Sequence, residues 1–196
     1  MTRRPHRHPK HAAPKHTAED GWPGDPGRDT LVARMIRVDH AGEYGAKRIY
    51  DGQLAVLGRS PEAAEIRRMA EQEARHLETF DRLMVARRVR PTLLHPLWHV
   101  AGFALGAATA LLGGRAAMAC TVAVEEVIDE HYRRQAELLG DAEPALKAAI
   151  EDFRHDENEH REIALAHGAD QAPGHLVLTA AIKAGSRLAI WLSTRL

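Results

Sequence analysis

The sequence predicts an all-α protein, a bundle of four long helices built from two repeated halves, with an extra apolar helical segment after each half. Three observations carry that prediction. Ala and Leu are abundant while aromatic residues make up 5% of the chain, a balance that favours packed helices over sheets. From Thr30 onward the apolar residues recur with helical spacing. The order long helix, long helix, apolar segment occurs twice, which is the mark of an internal repeat.

Each element has its own start and stop signals. Thr30 is a candidate N-cap for a first helix ending at Leu57, before the Gly58, Ser60 and Pro61 punctuation. Ser60 is expected to cap a second helix with Pro61 as its first helical residue, running to Val89 and stopped before Pro91. Residues 93–114 follow as an apolar segment whose only ionisable side chains are His95 and His99. A third long helix is expected from Arg115 to Leu139, stopped by Gly140, and a fourth from Glu143 and Pro144 to His167, stopped by Gly168. A last apolar segment covers residues 173–196 and carries Lys183, Arg187 and Arg195. Short connections within each half and a longer crossover through 91–114 suit a four-helix bundle.

Composition narrows the function. The 196 residues hold 27 Lys and Arg against 27 Asp and Glu, so no net charge draws the chain to nucleic acid. Cys120 is the only cysteine, which excludes an intrachain disulfide and fits a reducing compartment. Set in the run AMACTVAV, it reads as a small core residue rather than a nucleophile. Residues 1–29 are rich in Pro, Gly and basic side chains and contain no apolar run of the secretory kind. They read as a disordered basic tail, with residues 30–196 forming the domain. His6, His8, His11 and His16 in that tail read as solvated rather than as a metal site.

The chemistry lies in two Glu-x-x-His motifs, Glu73 to His76 and Glu157 to His160. On a helix, positions i and i+3 share a face, so one carboxylate and one imidazole can reach the same ion. The first and third helices each offer a further carboxylate. Glu43 precedes Glu73 by 30 residues and Glu125 precedes Glu157 by 32. Tyr50 follows Glu43 by seven residues, and Tyr132 follows Glu125 by the same seven. Seven residues is two helical turns, so each tyrosine shares a face with its glutamate and is a candidate site residue. Glu126 is an alternative to Glu125, though the tyrosine spacing favours Glu125. Ferritin-like di-iron and di-manganese carboxylate proteins use this set, one Glu from each of two helices and a Glu-x-x-His from each of the other two. Four inward carboxylates without cations would repel one another and lose hydration. The competing reading is a surface salt-bridge pattern with Arg75, Arg154 and Arg161. Asp39, His40, Asp129 and Asp156 are candidate acceptors for the outer ring nitrogens of the histidines.

The stretches RVDHAGEYGAKRIYDGQLAVLG, EQEARHL, RVRPTLLHPLWHVAGFALGAATALLGGRAAMACTVAVEEVIDEHY and FRHDENEHREIALAHGA resemble the demethoxyubiquinone hydroxylase family across residues 30–196. The resemblance implies a ferritin-like four-helix bundle holding two iron ions per chain. The family's ligands match Glu43, Glu73, His76, Glu125, Glu157 and His160 here, with no departure. It implies a monooxygenase that uses O2 and an electron donor the sequence does not identify to hydroxylate the ring of a polyprenyl quinol, demethoxyubiquinol. The alternative is a ferritin-like iron-binding protein or peroxidase that leaves the quinol untouched.

A polyprenyl substrate gives the apolar segments a purpose. Residues 93–114 are nearly long enough to cross a bilayer, but Pro96, the histidines and the glycines favour an in-plane helix that admits the tail. Residues 173–196 are its expected partner, with Lys183, Arg187 and Arg195 near headgroups. The chain is therefore expected to be a peripheral membrane protein on the cytoplasmic face, open to contact with other ubiquinone-synthesis proteins. A pair of buried core helices is the competing reading.

Overall fold

The computed structural model describes residues 27–196. They form six α-helices: α1 (Arg28–Leu57), α2 (Ala63–Arg87), α3 (His95–Leu111), α4 (Gly114–Leu139), α5 (Pro144–Ala166) and α6 (His175–Ser193), with a single 3₁₀ turn, Ala169–Gln171, before the last. The basic tail and its four histidines lie outside the described residues up to position 26. Arg28 and Asp29, assigned above to the tail, are already helical.

Several boundaries differ from expectation for local reasons. α1 begins at Arg28 with Gly27 in the cap position, so Thr30 lies inside the helix and caps nothing. Asp29 still places a carboxylate in the first turn, where the helix dipole favours it. Ser60 and Pro61 form a turn of their own, in which the Ala63 N–H bonds the Ser60 carbonyl, and α2 starts two residues later than Pro61. α2 ends at Arg87 rather than Val89 because Arg88 turns left-handed at φ 52°, and the Val89 N–H closes onto the Met84 carbonyl. Pro144 does open α5 as its first residue, where its missing N–H costs nothing.

The core is the four-helix unit α1, α2, α4 and α5. α1 and α2 pair through the 58–62 turn, and α4 and α5 pair through the 140–143 turn. α3 packs on α1 and α6 packs on α4, so the third helix of each half lies outside the bundle.

Two apolar clusters fill the bundle, and the chain visits them in register. One holds Val32, Met35 and Ile36 of α1, Phe80 and Met84 of α2, Ile128 and Tyr132 of α4, and Ile150 and Phe153 of α5. The other holds Tyr50, Ile66, Met69, Met118, Ala119 and Ala164. The candidate ligands fall between Ile36 and Tyr50 in α1, Met69 and Phe80 in α2, Ala119 and Ile128 in α4, and Phe153 and Ala164 in α5. The acidic residues therefore form one layer across the middle of the bundle, closed by apolar packing on both sides.

α3 lies very close to α1. A Cβ added at Gly106 would fall 1.9 Å from the Ile49 carbonyl oxygen, and one at Gly52 would fall 2.2 Å from that of Phe103. Only glycine permits two helices this near.

Candidate metal centre

All six predicted ligands are buried in the mid-bundle layer. Glu73, Glu157 and His160 are fully inaccessible, and Glu43, His76 and Glu125 are nearly so. Their potential donor atoms form two overlapping groups, Glu43, Glu73, His76 and Glu157, and Glu73, Glu125, Glu157 and His160. Within each group the atoms lie within 4.8 Å of one another, so each could hold a metal ion. Glu73 and Glu157 belong to both groups, as bridging carboxylates between two ions would.

The polar accounting within the layer is incomplete in a telling way. Glu43 Oε2, both Glu73 oxygens, His76 Nδ1, Glu125 Oε2 and Glu157 Oε1 are buried without a hydrogen-bond partner. A buried acceptor left unpaired costs about 1–3 kcal/mol and more when charged. Six such atoms converging on one place fit a pair of hard cations with oxygen and imidazole ligands.

The remaining atoms are held in a crossed pattern. Tyr50 of α1 donates to Glu125 Oε1 of α4 at 2.8 Å. Tyr132 of α4 donates to Glu43 Oε1 of α1. Each tyrosine thus orients the glutamate of the other half, not the one on its own helix face. Burial, then the charge of Glu125, lifts the Tyr50 phenol far above its usual value. Burial and Glu43 do the same for Tyr132. Both phenols stay protonated and remain donors.

The histidines cross in the same way. His76 Nε2 lies 3.0 Å from Asp156 Oδ2, and His160 Nε2 lies 3.1 Å from Gln72 Oε1. Their Nδ1 atoms face inward. His76 Nδ1 is 3.4 Å from Glu43 and 3.3 Å from Glu157, near enough for attraction though neither contact is a formed hydrogen bond.

Charge balance follows from this packing. Burial, helped by Glu157 and Glu43, pushes the Glu73 carboxyl well above the usual carboxylate range. Burial, with Glu157 and Glu73, does the same to Glu125. Burial also works against ionising Glu157, but the hydrogen bond from His160 and the nearby His76 outweigh it and hold it down at about 2. His76 loses from burial and gains more from Glu157 and Glu43, which raise it to about 12.

The other sequence candidates sort themselves by contact. Of the four candidate acceptors, Asp156 alone bonds a ligand histidine. Asp39 accepts from Gln135 and faces His131, His40 pairs with Asp81, and Asp129 pairs with Arg154. Glu126 pairs with Lys183 of α6 and is half exposed, which leaves Glu125 as the inward carboxylate. The arginines of the salt-bridge reading go elsewhere: Arg154 binds Asp129, and Arg75 donates to the Glu71 carbonyl. Cys120 is buried, and burial pushes its thiol up to about 12, as a core residue requires. Gln72 went unnoticed in the sequence, although it precedes Glu73 as Asp156 precedes Glu157.

An apolar cavity of about 370 Å³ lies among α1, α3, α4 and α6. Gly42 and Ala46, which flank Glu43, and Val124 and Ile128, which flank Glu125, line it together with Trp98, Leu105, Ala189 and Ile190. Outside it, Leu97, Val100, Leu111 and Leu112 of the α3 segment and Leu176, Val177, Leu188 and Trp191 of α6 are exposed. α6 is, among the described residues, the one helix long and apolar enough to cross a bilayer, and most of it is uncovered. The Lys183 side chain is largely covered, whereas that of Arg187 is 59% exposed. They pair with Glu126 and Glu130 of α4, while Arg195 lies over the Trp191 ring.

Comparison with known proteins gives a single answer. Residues 30–193 match the family described as "Ubiquinone biosynthesis protein COQ7". A 3-demethoxyubiquinol 3-hydroxylase of Rhodospirillum rubrum is 61% identical over 94% of this chain and 88% of its own length. An NADPH-dependent 3-demethoxyubiquinone 3-hydroxylase, mitochondrial, of Homo sapiens is 56% identical over 84% of this chain and 78% of its own. A 5-demethoxyubiquinone hydroxylase, mitochondrial, of Saccharomyces cerevisiae is 43% identical over 85% and 78%. With two halves built on one plan around a shared acidic layer, and with these relatives, the chain belongs to the COQ7 family of ubiquinone biosynthesis proteins.

Proposed function

We propose that the chain is a di-iron monooxygenase that hydroxylates the ring of demethoxyubiquinol with O2, and that Glu43, Glu73, His76, Glu125, Glu157 and His160 are its iron ligands. The observation that carries the reading is the convergence of unpaired buried oxygens and an imidazole nitrogen in one layer. The relatives' names supply the substrate class. When bound, the iron pair supplies the O2 chemistry that no side chain can perform.

The residues of the chain do the rest. Glu73 and Glu157, common to both donor groups, would hold both ions. Tyr50 and Tyr132 fix the two carboxylates that flank the apolar cavity, keeping one oxygen of each engaged and leaving the other for an ion. The cavity takes the quinol ring against the Glu43 and Glu125 turns, where apolar walls exclude water, and positioning of this kind contributes much of a rate. The cavity lies between α3 and α6, which the Trp98 N–H joins by a 3.0 Å hydrogen bond to the Ser193 hydroxyl, and the polyprenyl tail leaves between these helices. Their exposed apolar faces seat the protein on the bilayer in which such a substrate dissolves. The reading extends to the cytoplasmic face of the cell membrane, where a lone free thiol is kept reduced.

The test uses iron-loaded protein, NADPH (the reductant in the human relative's name) and a short-tailed demethoxyubiquinol under labelled O2. A product with one labelled ring hydroxyl is expected. Iron at two per chain with unlabelled, unchanged quinol would refute the substrate and leave the metal centre standing.

A further inference from the structure

The crossed contacts of the two histidines are alike in shape and unlike in charge. Asp156 and Gln72 occupy equivalent positions of the repeat, each directly before the Glu of a Glu-x-x-His motif. Each reaches across to the other half's histidine at nearly the same distance, 3.0 Å and 3.1 Å. A ring that gives Nδ1 to an ion carries its proton on Nε2, which must then donate outward. Both outer residues present an acceptor oxygen there.

The acceptors differ in strength. Asp156 offers a carboxylate whose side chain is 26% exposed, whereas Gln72 offers a neutral amide and is buried. A carboxylate acceptor draws on the Nε2 proton and makes Nδ1 a better electron donor to metal, and outer partners of this kind change metal affinity by about 10–100-fold. An amide does so weakly. Glu73 and Glu157 are common to both positions, so the two donor sets differ in identity only by Glu43 against Glu125 and His76 against His160.

We infer that the two metal positions are inequivalent. Asp156 is a positioning residue that makes the position of Glu43, Glu73, His76 and Glu157 the tighter and first to fill. Gln72 leaves the position of Glu73, Glu125, Glu157 and His160 the weaker. The inference rests on the two-ion reading of the site given above.

The experiment titrates the full-length metal-free protein with Mn(II) and follows binding by electron paramagnetic resonance, in which a lone ion and a coupled pair give different signals. The wild type is expected to bind in two steps, a lone-ion signal first and a coupled signal second. Asp156→Asn should weaken the first step by about 10-fold or more and leave the second nearly unmoved. Gln72→Glu, which keeps the side chain's shape, should tighten the second step by a similar factor. The double variant should reverse the order of affinities between the two positions. Two ions bound with a single affinity that neither variant moves would overturn the inference and spare the two-ion reading. Fewer than two ions bound to the wild type would overturn both.

Discussion

Replacing Gly106 with alanine tests how near α3 comes to α1. The new methyl would start 1.9 Å from the Ile49 carbonyl oxygen and 2.7 Å from its carbon. Both are backbone atoms inside a 30-residue helix and cannot rotate away. Relief requires α3 to retreat by more than about 1 Å, since non-bonded contacts are comfortable near 3.5 Å. Overpacking of this kind costs about 1–3 kcal/mol, while alanine returns up to about 1 kcal/mol through helix propensity. The net loss is between about 0 and 3 kcal/mol, or a fall of up to roughly 12 °C in melting temperature for a domain of this size. Gly45→Ala is the internal control. Gly45 lies in α1 facing the cavity with nothing within 4 Å of an added Cβ, so the same substitution should raise stability by about 0.5–1 kcal/mol. It should also narrow the cavity and raise the KM for a long-tailed quinol. Thermal unfolding of both variants with the same metal content reads the sign directly. If Gly106→Ala were as stable as Gly45→Ala, the close approach of the two helices would be wrong.

Tyr50→Phe should keep two metal ions per chain but leave Glu125 Oε1 unpaired, at a cost of about 1–3 kcal/mol in stability, with turnover reduced; unchanged turnover and melting would show the Tyr50 bond idle. Metal uptake should release protons, because Glu73 and Glu125 are pushed up and His76 stands at about 12, and ligands must deprotonate to bind. Apparent affinity should therefore rise with pH, and uptake at pH 7 with no acidification of an indicator dye would contradict that charge balance. In the metal-free protein the same raised groups favour folding below their unfolded values, near 4.5 for the glutamates and 6.5 for His76, and lose that contribution as pH rises through their folded ones. The metal-free chain should thus melt lower at pH 9 than at pH 6, and the metal-loaded chain should show far less of this slope. Arg88→Gly should raise stability by about 1 kcal/mol, because residue 88 sits at φ 52° where a side chain is strained; a lower melting temperature would mean the Arg88 side chain contributes a contact that outweighs the strain.

The parts of the fold written in periodicity were legible from sequence. Four bundle helices, two outer apolar helices and the Glu-x-x-His faces all follow from spacing within one chain segment. Helix starts were less legible, because Thr30 and Ser60 carry capping side chains at places where the backbone did not use them. Which groups meet across the bundle was not legible at all. Tyr50 was expected beside Glu43, its neighbour on the helix, yet it serves Glu125, because a bond across the bundle depends on how α1 and α4 are apposed. Gln72 was hidden for a different reason: the repeat pointed to it, but a glutamine opposite an aspartate does not look like an equivalent. Nothing in the composition of α6 foretold the Glu126 and Glu130 carboxylates that Lys183 and Arg187 meet across the α4 face.

The crossed tyrosines make each half depend on the other. A single half, α1 to α3, would bury Glu43, Glu73 and His76 with no phenol to meet Glu43 and no fourth carboxylate to complete an ion's surroundings. Only two halves facing one another close the circuit, since Tyr50, Tyr132 and both outer histidine partners each reach the opposite half. A half-length chain of this plan would close that circuit only by pairing with a second copy, and the junction of the two halves falls at Gly113, between α3 and α4. Cutting the chain at that junction should therefore give two fragments inert apart and metal-binding once mixed.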